Sequence, residues 1–136
     1  MHNLNGLALG IYIGNKFRGF DASKANIGQT LMLIVTELAE AMEAHRNNSF
    51  VNWIKFDAQL ASDKCTYNDI DLDSERMPQA KRAFENNVKD TFEDEIADSI
   101  IRLFDLCGAL DIDIEKHIKL KLQFNSTREF KHGKQY

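Results

Sequence analysis

The chain has 136 residues, the length of one domain, and it is 43% hydrophobic and 28% charged. That balance supports one packed core and excludes a disordered chain. The net charge of −4 is uneven: Glu115 to Tyr136 carries six basic residues against two acidic ones, a surplus of +4 that leaves −8 on the rest, and so acidic a body excludes the broad basic face of a nucleic-acid binder.

One proline and seven glycines are few, and the pattern reads as mostly helix. Leu4 to about Phe17 repeats apolar residues at helical spacing (Leu4, Leu7, Ala8, Ile11), although Gly6, Gly10 and Gly14 weaken that helix. "RGFDASKAN" breaks it, and Asp21 or Ser23 is a candidate cap for the next element. In the second helix Ile27, Leu31, Ile34, Leu38 and Met42 recur at three- and four-residue steps, and it stops at "NNS", 47–49. "FVNWIKFDAQL" reads as a short helix with Phe50, Trp53, Ile54 and Leu60 inward. "ASDKCTYNDIDLDSERMP" reads as a long acidic loop.

A third long helix runs from about Gln79 or Phe84 to Ala109, with a break near "NNVKD". "GALDID" turns the chain, Asp111 or Asp113 caps, and a fourth helix runs from Ile114 to about Phe124. Four helices with short and long connections suggest an all-α bundle. Cys65 and Cys107 lack a CxxC spacing, so free thiols in a reducing compartment are expected. No apolar run approaches the roughly 18–20 residues of a membrane span, and no signal pattern opens the chain. A cytoplasmic protein with no membrane or nucleic-acid partner is the expectation.

The acids sit in an unusual pattern. On the third helix Ile96, Ile100, Leu103, Phe104 and Cys107 form an apolar arc, opposite a stripe of Glu95, Asp98, Arg102 and Asp105. A solvated face with an Asp98–Arg102 pair is the ordinary reading of such a stripe. On the second helix Glu37 and Glu40 lie at the margin of a small and apolar face, bracketed by Leu33, Ile34, Ala41 and Ala44. Unpaired acids there are costly. Together the helices read ExxE (Glu37, Glu40) and ExxD (Glu95, Asp98), a hard oxygen cage suited to Mg²⁺ or Mn²⁺. Beyond the fourth helix, Lys121, Asn125 and Arg128 are spaced to share a face that suits phosphate, with Lys131, His132 and Lys134 following; a solvated basic tail is the ordinary alternative.

The order ExxE, ExxD, then Lys-x-x-x-Asn-x-x-Arg resembles the MazG-like family of all-α nucleoside triphosphate pyrophosphohydrolases. "VTELAEAMEAHR" is similar to that family's first acidic helix, "FEDEIADSIIRLFDLCGALDIDIEKHI" to its second, and "KLQFNSTREFKHGKQY" to its ending. The resemblance covers about residues 25–48 and 84–136. One departure stands out: positions 41 to 94 put 54 residues between Glu40 and Glu95, more than the family's usual separation. The segment at about 49–83 is read as an insertion or long loop in a single 1–136 domain, a lid or an oligomer contact.

The resemblance implies a four-helix-bundle-like, MazG-type fold completed by oligomerisation, as a homo-oligomeric dimer or tetramer. It implies Mg²⁺-dependent hydrolysis of an NTP or dNTP to the monophosphate and pyrophosphate. Glu37, Glu40, Glu95 and Asp98 would hold the metal and serve catalysis, with Glu40 chosen to take the water's proton. Lys121, Asn125 and Arg128 would grip phosphates, and Lys134 would reach the ligand too. His132 would either contact phosphate or be solvated, and Trp53 would either stack on a base or be core. A catalytically silent helical module that binds a nucleotide or a partner protein is the alternative, and a related enzyme with a narrower substrate, such as dUTP, a third.

Overall fold

A computed structural model describes residues 3–71 and 73–128. Among these, all regular structure is helical: α1 (Leu4–Phe17), α2 (Ile27–Arg46), α3 (Trp53–Ser62), a 3-10 turn (Tyr67–Asp69), α4 (Met77–Asn87), α5 (Phe92–Ala109) and α6 (Ile114–Ser126). No helix of the described residues is long and apolar enough to cross a membrane. The chain divides into two compact units, residues 1–31 with 101–136, and residues 32–100.

In the first unit, α1 and α6 cap each other. The Leu4 N–H donates to Glu115 Oε2 at 3.3 Å, and the Glu115 N–H donates to Asn5 Oδ1 at 3.2 Å. Asn5 Nδ2 and the Lys116 N–H both donate to Asp113 Oδ1, at 2.8 and 3.1 Å. Asp113 is thus the cap that α6 uses, and these bonds hold its carboxyl below the usual range. Gly108 of α5 lies against α1: a Cβ there would fall 2.5 Å from the Ala8 carbonyl oxygen and 2.7 Å from Tyr12 Cβ. Only glycine permits that approach. The glycines of α1 do not prevent its forming, and Asn3 caps it by accepting from the Gly6 N–H at 3.0 Å.

In the 32–100 unit, α3 and α4 build an apolar core of Phe56, Leu60, Cys65, Ala80, Ala83 and Val88. Ala80 and Ala83 have no exposed surface, so small residues set the close packing of the pair. Pro78 lies in the first turn of α4, where its missing N–H costs nothing. The acidic stretch before α4 is irregular but ordered. Asp69 accepts the Thr66 N–H at 2.7 Å and the Ser74 hydroxyl at 2.8 Å, and Arg76 Nη1 donates to the Lys64 carbonyl at 2.6 Å.

The inward set expected of the short helix is corrected, and two further helices bury an unexpected side. Leu60 of α3 is buried, but Trp53 and Ile54 are 56% and 83% exposed and Phe50 is exposed as well; Phe56 takes the inward place. Along α2 the buried residues are Thr30, Ile34, Glu37, Ala41 and Ala44, while Leu31, Leu38 and Met42 face outward. Along α5 the buried residues are Glu95, Ser99, Asp105 and Leu106; of the apolar arc, Ile100 and Leu103 are exposed and Ile96, Phe104 and Cys107 half-buried. Packing through Ala41 and Ala44 turns the small residues, and the acids beside them, inward.

Candidate metal centre

The break between α4 and α5 positions the acids. Asp90 turns the chain at a positive φ of 60°, and Thr91 binds Val88 O through its N–H at 3.2 Å and its hydroxyl at 2.6 Å. The Asp94 N–H donates to Thr91 Oγ1 at 3.4 Å, which caps the start of α5, and Asp94 Oδ2 accepts the Asp90 N–H at 3.0 Å. Glu93 Oε2 accepts the Val51 N–H at 3.0 Å, and the Phe92 N–H donates to Ser49 O at 2.9 Å. His45, Phe50 and Phe92 pack as rings 5.6 to 6.1 Å apart. The end of α2 is thereby tied to the beginning of α5.

Within that frame Glu37, Glu95 and Asp98 each offer a carboxylate oxygen, all within 4.8 Å of one another. Glu37 and Glu95 are 7% and 5% exposed, and Asp98 is exposed. Glu40 stands outside the trio and is exposed. Burial, then the charges of Glu40, Asp94, Asp98 and Glu37, push the Glu95 carboxyl up to about 7. Every one of these causes raises it. A carboxylate so placed keeps its proton or gains a cation. The buried cluster can hold a metal ion, and a donor set of carboxylates alone suits a hard, oxygen-seeking cation.

Asp90, Asp94 and Glu95 form a second close group. Two of its members have structural partners: Asp94 accepts the Asp90 N–H, and Asp90 accepts Lys89 Nζ at 2.7 Å through both oxygens. Of the five acids of "TFEDEIADSIIRLFDL", Glu93 and Asp94 therefore join elements and Glu95 and Asp98 enter the trio. Asp105 belongs to the other unit, where burial raises its carboxyl while a hydrogen bond from Asn15 and the charge of Arg102 lower it.

Ser99 is a residue that the motif reading missed. It lies one turn beyond Glu95 on the same face of α5, is 4% exposed, and its Oγ has no hydrogen-bond partner. Serine in mid-helix ordinarily donates to the carbonyl four residues back. Its i+4 spacing from a motif acid was the available signal.

The remaining candidates lie apart in the chain. Trp53 begins α3 in the 32–100 unit, its ring edge-on to Phe56 at 5.8 Å. Lys121, Asn125 and Arg128 belong to the other unit. Helix α6 ends at Ser126, so Arg128 lies past its cap rather than on it, with its N–H donating to Asn125 O at 3.1 Å. Lys121 Nζ and the Arg128 guanidinium lie 5.3 and 5.8 Å from the Phe124 ring centre, and Asn125 Oδ1 is buried with no hydrogen-bond partner. His132 and Lys134 lie outside the described residues. No protein-family model, no curated protein and no solved structure matches the chain.

Proposed function

We propose that the protein is a Mg²⁺-dependent nucleotide pyrophosphohydrolase of MazG-like type, converting an NTP or dNTP and water to the monophosphate and pyrophosphate. The observation that carries this reading is the convergence of Glu37, Glu95 and Asp98, from two separated motifs, within 4.8 Å. Repulsion between acids drawn together where two of them are buried is relieved by a proton or by a bound cation, and the second is the reading taken here. Mg²⁺, with Mn²⁺ as a substitute, would neutralise phosphate oxygens and make bound water more acidic.

The protein's own groups divide the remaining work. Glu37, Glu95 and Asp98 hold the cation. Glu40, exposed beside them, takes the proton of the attacking water. The water oxygen bonds to one phosphorus of the α–β bridge, that bridge breaks, and its electron pair leaves with the departing phosphate. Lys121, Asn125 and Arg128, of the other unit, are the groups that the MazG-like resemblance assigns to phosphate.

The reading includes a homodimer as the minimal unit, with a tetramer built from it. Leu31, Val35, Leu38 and Met42 on α2 are 46, 52, 48 and 55% exposed and repeat at steps of four, three and four. That is the spacing of a helix–helix seam. Among the described residues no large side chain is fully buried. A second copy offers the missing cover, and sedimentation is expected to give twice the chain mass or a multiple of it.

The test of activity is incubation with a panel of NTPs and dNTPs, with Mg²⁺ or with EDTA, and identification of products. Monophosphate and pyrophosphate formed only with metal is the expected outcome. Diphosphate and phosphate would mean a different bond is cut. Metal-dependent nucleotide binding without turnover would favour the silent binding module.

A further inference from the structure

Apart from the acids, the 32–100 unit contains a cavity of about 440 Å³ beside the α3–α4 core. Its floor is apolar: Phe56, Phe84 and Val88, of which Phe56 and Val88 are 5% and 7% exposed. Trp53, Tyr67 and Ile70 form a rim that is 56, 67 and 43% exposed. A hollow lined almost wholly by apolar and aromatic side chains, with one polar group among them, has the lining of a ligand site. Asp57, the one charged residue in the lining, stands on the exposed side of α3.

Chain geometry relates this cavity to the acids. Val88 in the floor is joined to Thr91 by the hydrogen-bonded turn described above, and Glu95 follows Thr91 by one turn of α5, its N–H bonded to Thr91 O at 3.1 Å. Such a turn spans less than about 7 Å and a helical turn of four residues rises about 6 Å, so the Val88 and Glu95 backbones lie no more than about 13 Å apart. A flat ring in the cavity and a phosphate near the acids can therefore belong to one ligand of nucleotide size.

We propose that this cavity takes the nucleobase, and that Asp57 selects bases carrying an exocyclic amino group. The inference rests on the nucleotide reading above and extends it to the base. Trp53 and Tyr67 supply stacking faces. An ionised carboxylate only accepts hydrogen bonds. It is therefore matched to the amino N–H of cytosine, adenine or guanine, and it opposes the carbonyl oxygen that uracil and thymine place there.

The test needs neither phosphate nor turnover. Trp53 is the only tryptophan in the chain, so its fluorescence reports on the cavity directly. Cytidine and uridine are titrated in EDTA up to their solubility limits, with excitation on the red edge of the indole band to avoid base absorption. Saturable change with cytidine, at least about tenfold tighter than with uridine, is expected from one hydrogen bond to a charged group. Asp57→Asn should level the two, because the amide offers a donor as well as an acceptor. No response to either nucleoside overturns the proposal, as does equal response to both, or a preference that survives Asp57→Asn. Nucleoside binding without hydrolysis in the substrate panel would remove the enzyme reading and leave the cavity assignment standing. Hydrolysis without a Trp53 response would do the reverse.

Discussion

Two helix groups in the 32–100 unit follow opposite rules. Helices α3 and α4 bury Phe56, Leu60, Ala80 and Ala83 and keep Lys55, Lys81 and Glu85 in solvent. The segments of α2 and α5 in the same unit bury Glu37, Glu95 and Ser99 and leave Met32, Val35, Leu38, Met42 and Ile100 exposed. An apolar core is stable by itself, because burial removes carbon from water. A buried group of acids is not, since each charge loses hydration and repels its neighbours. The first arrangement serves folding. The second is intelligible as a place where something binds, with an apolar outer surface left in solvent.

The sharpest way to break this comparison is to change the acids. Glu37→Gln or Asp98→Asn should lower Mg²⁺-dependent turnover on the order of 10²-fold or more, as removal of a group that stabilises developing charge does elsewhere. Far-ultraviolet circular dichroism should stay near that of the parent. Loss of helicity in both variants would make the acids structural. Leu60→Ala provides the converse. It should cost about 2–5 kcal/mol of stability in denaturant titration, from lost burial and the cavity left behind. Metal dependence should survive wherever the variant is folded.

A pH series sharpens the same contrast. The Glu95 carboxyl is raised from its ordinary 4.5 to about 7, so between those values the folded chain binds more protons than the unfolded one. Stability in EDTA should therefore fall as pH rises through that window, by up to about 3 kcal/mol, and then level off. Glu95→Gln should flatten this slope, and a slope unchanged by the substitution would place its origin elsewhere. The smallest effect is expected at Ser99. Ser99→Ala removes a buried hydroxyl with no partner and should raise metal-free stability by about 1 kcal/mol. A loss of comparable size would show that the hydroxyl is satisfied in solution.

Much of this architecture can be read from the residues. The ends of α1, the stop of α2 after Arg46, the interruption between α4 and α5 and the Asp113 cap all follow from local signals. The coming together of Glu37, Glu95 and Asp98 is visible as two spaced acidic motifs. The side of each helix that turns inward is not visible. Periodicity separates Ile100 and Leu103 from Glu95 and Asp98, but it is blind to which arc faces the partner helix. The usual assumption puts the larger hydrophobic residues inside, and it fails for Leu38 and Met42, where Ala41 and Ala44 make the close contact side. Ser99 is marked in the sequence only by its i+4 spacing from Glu95, a weak signal beside the acidic motifs. In α3, Phe56 rather than Trp53 is buried, a choice made by distant Ala80 and Ala83 rather than by neighbours in sequence.

The most direct test of the central claim is the thermal midpoint as a function of Mg²⁺ or Mn²⁺ above pH ~7, where Glu95 is ionised. A cation held by the folded acids must raise the midpoint with concentration. The account predicts a rise in the parent protein and none in Glu95→Gln. A midpoint that ignores both cations, or an equal rise in the variant, would contradict it.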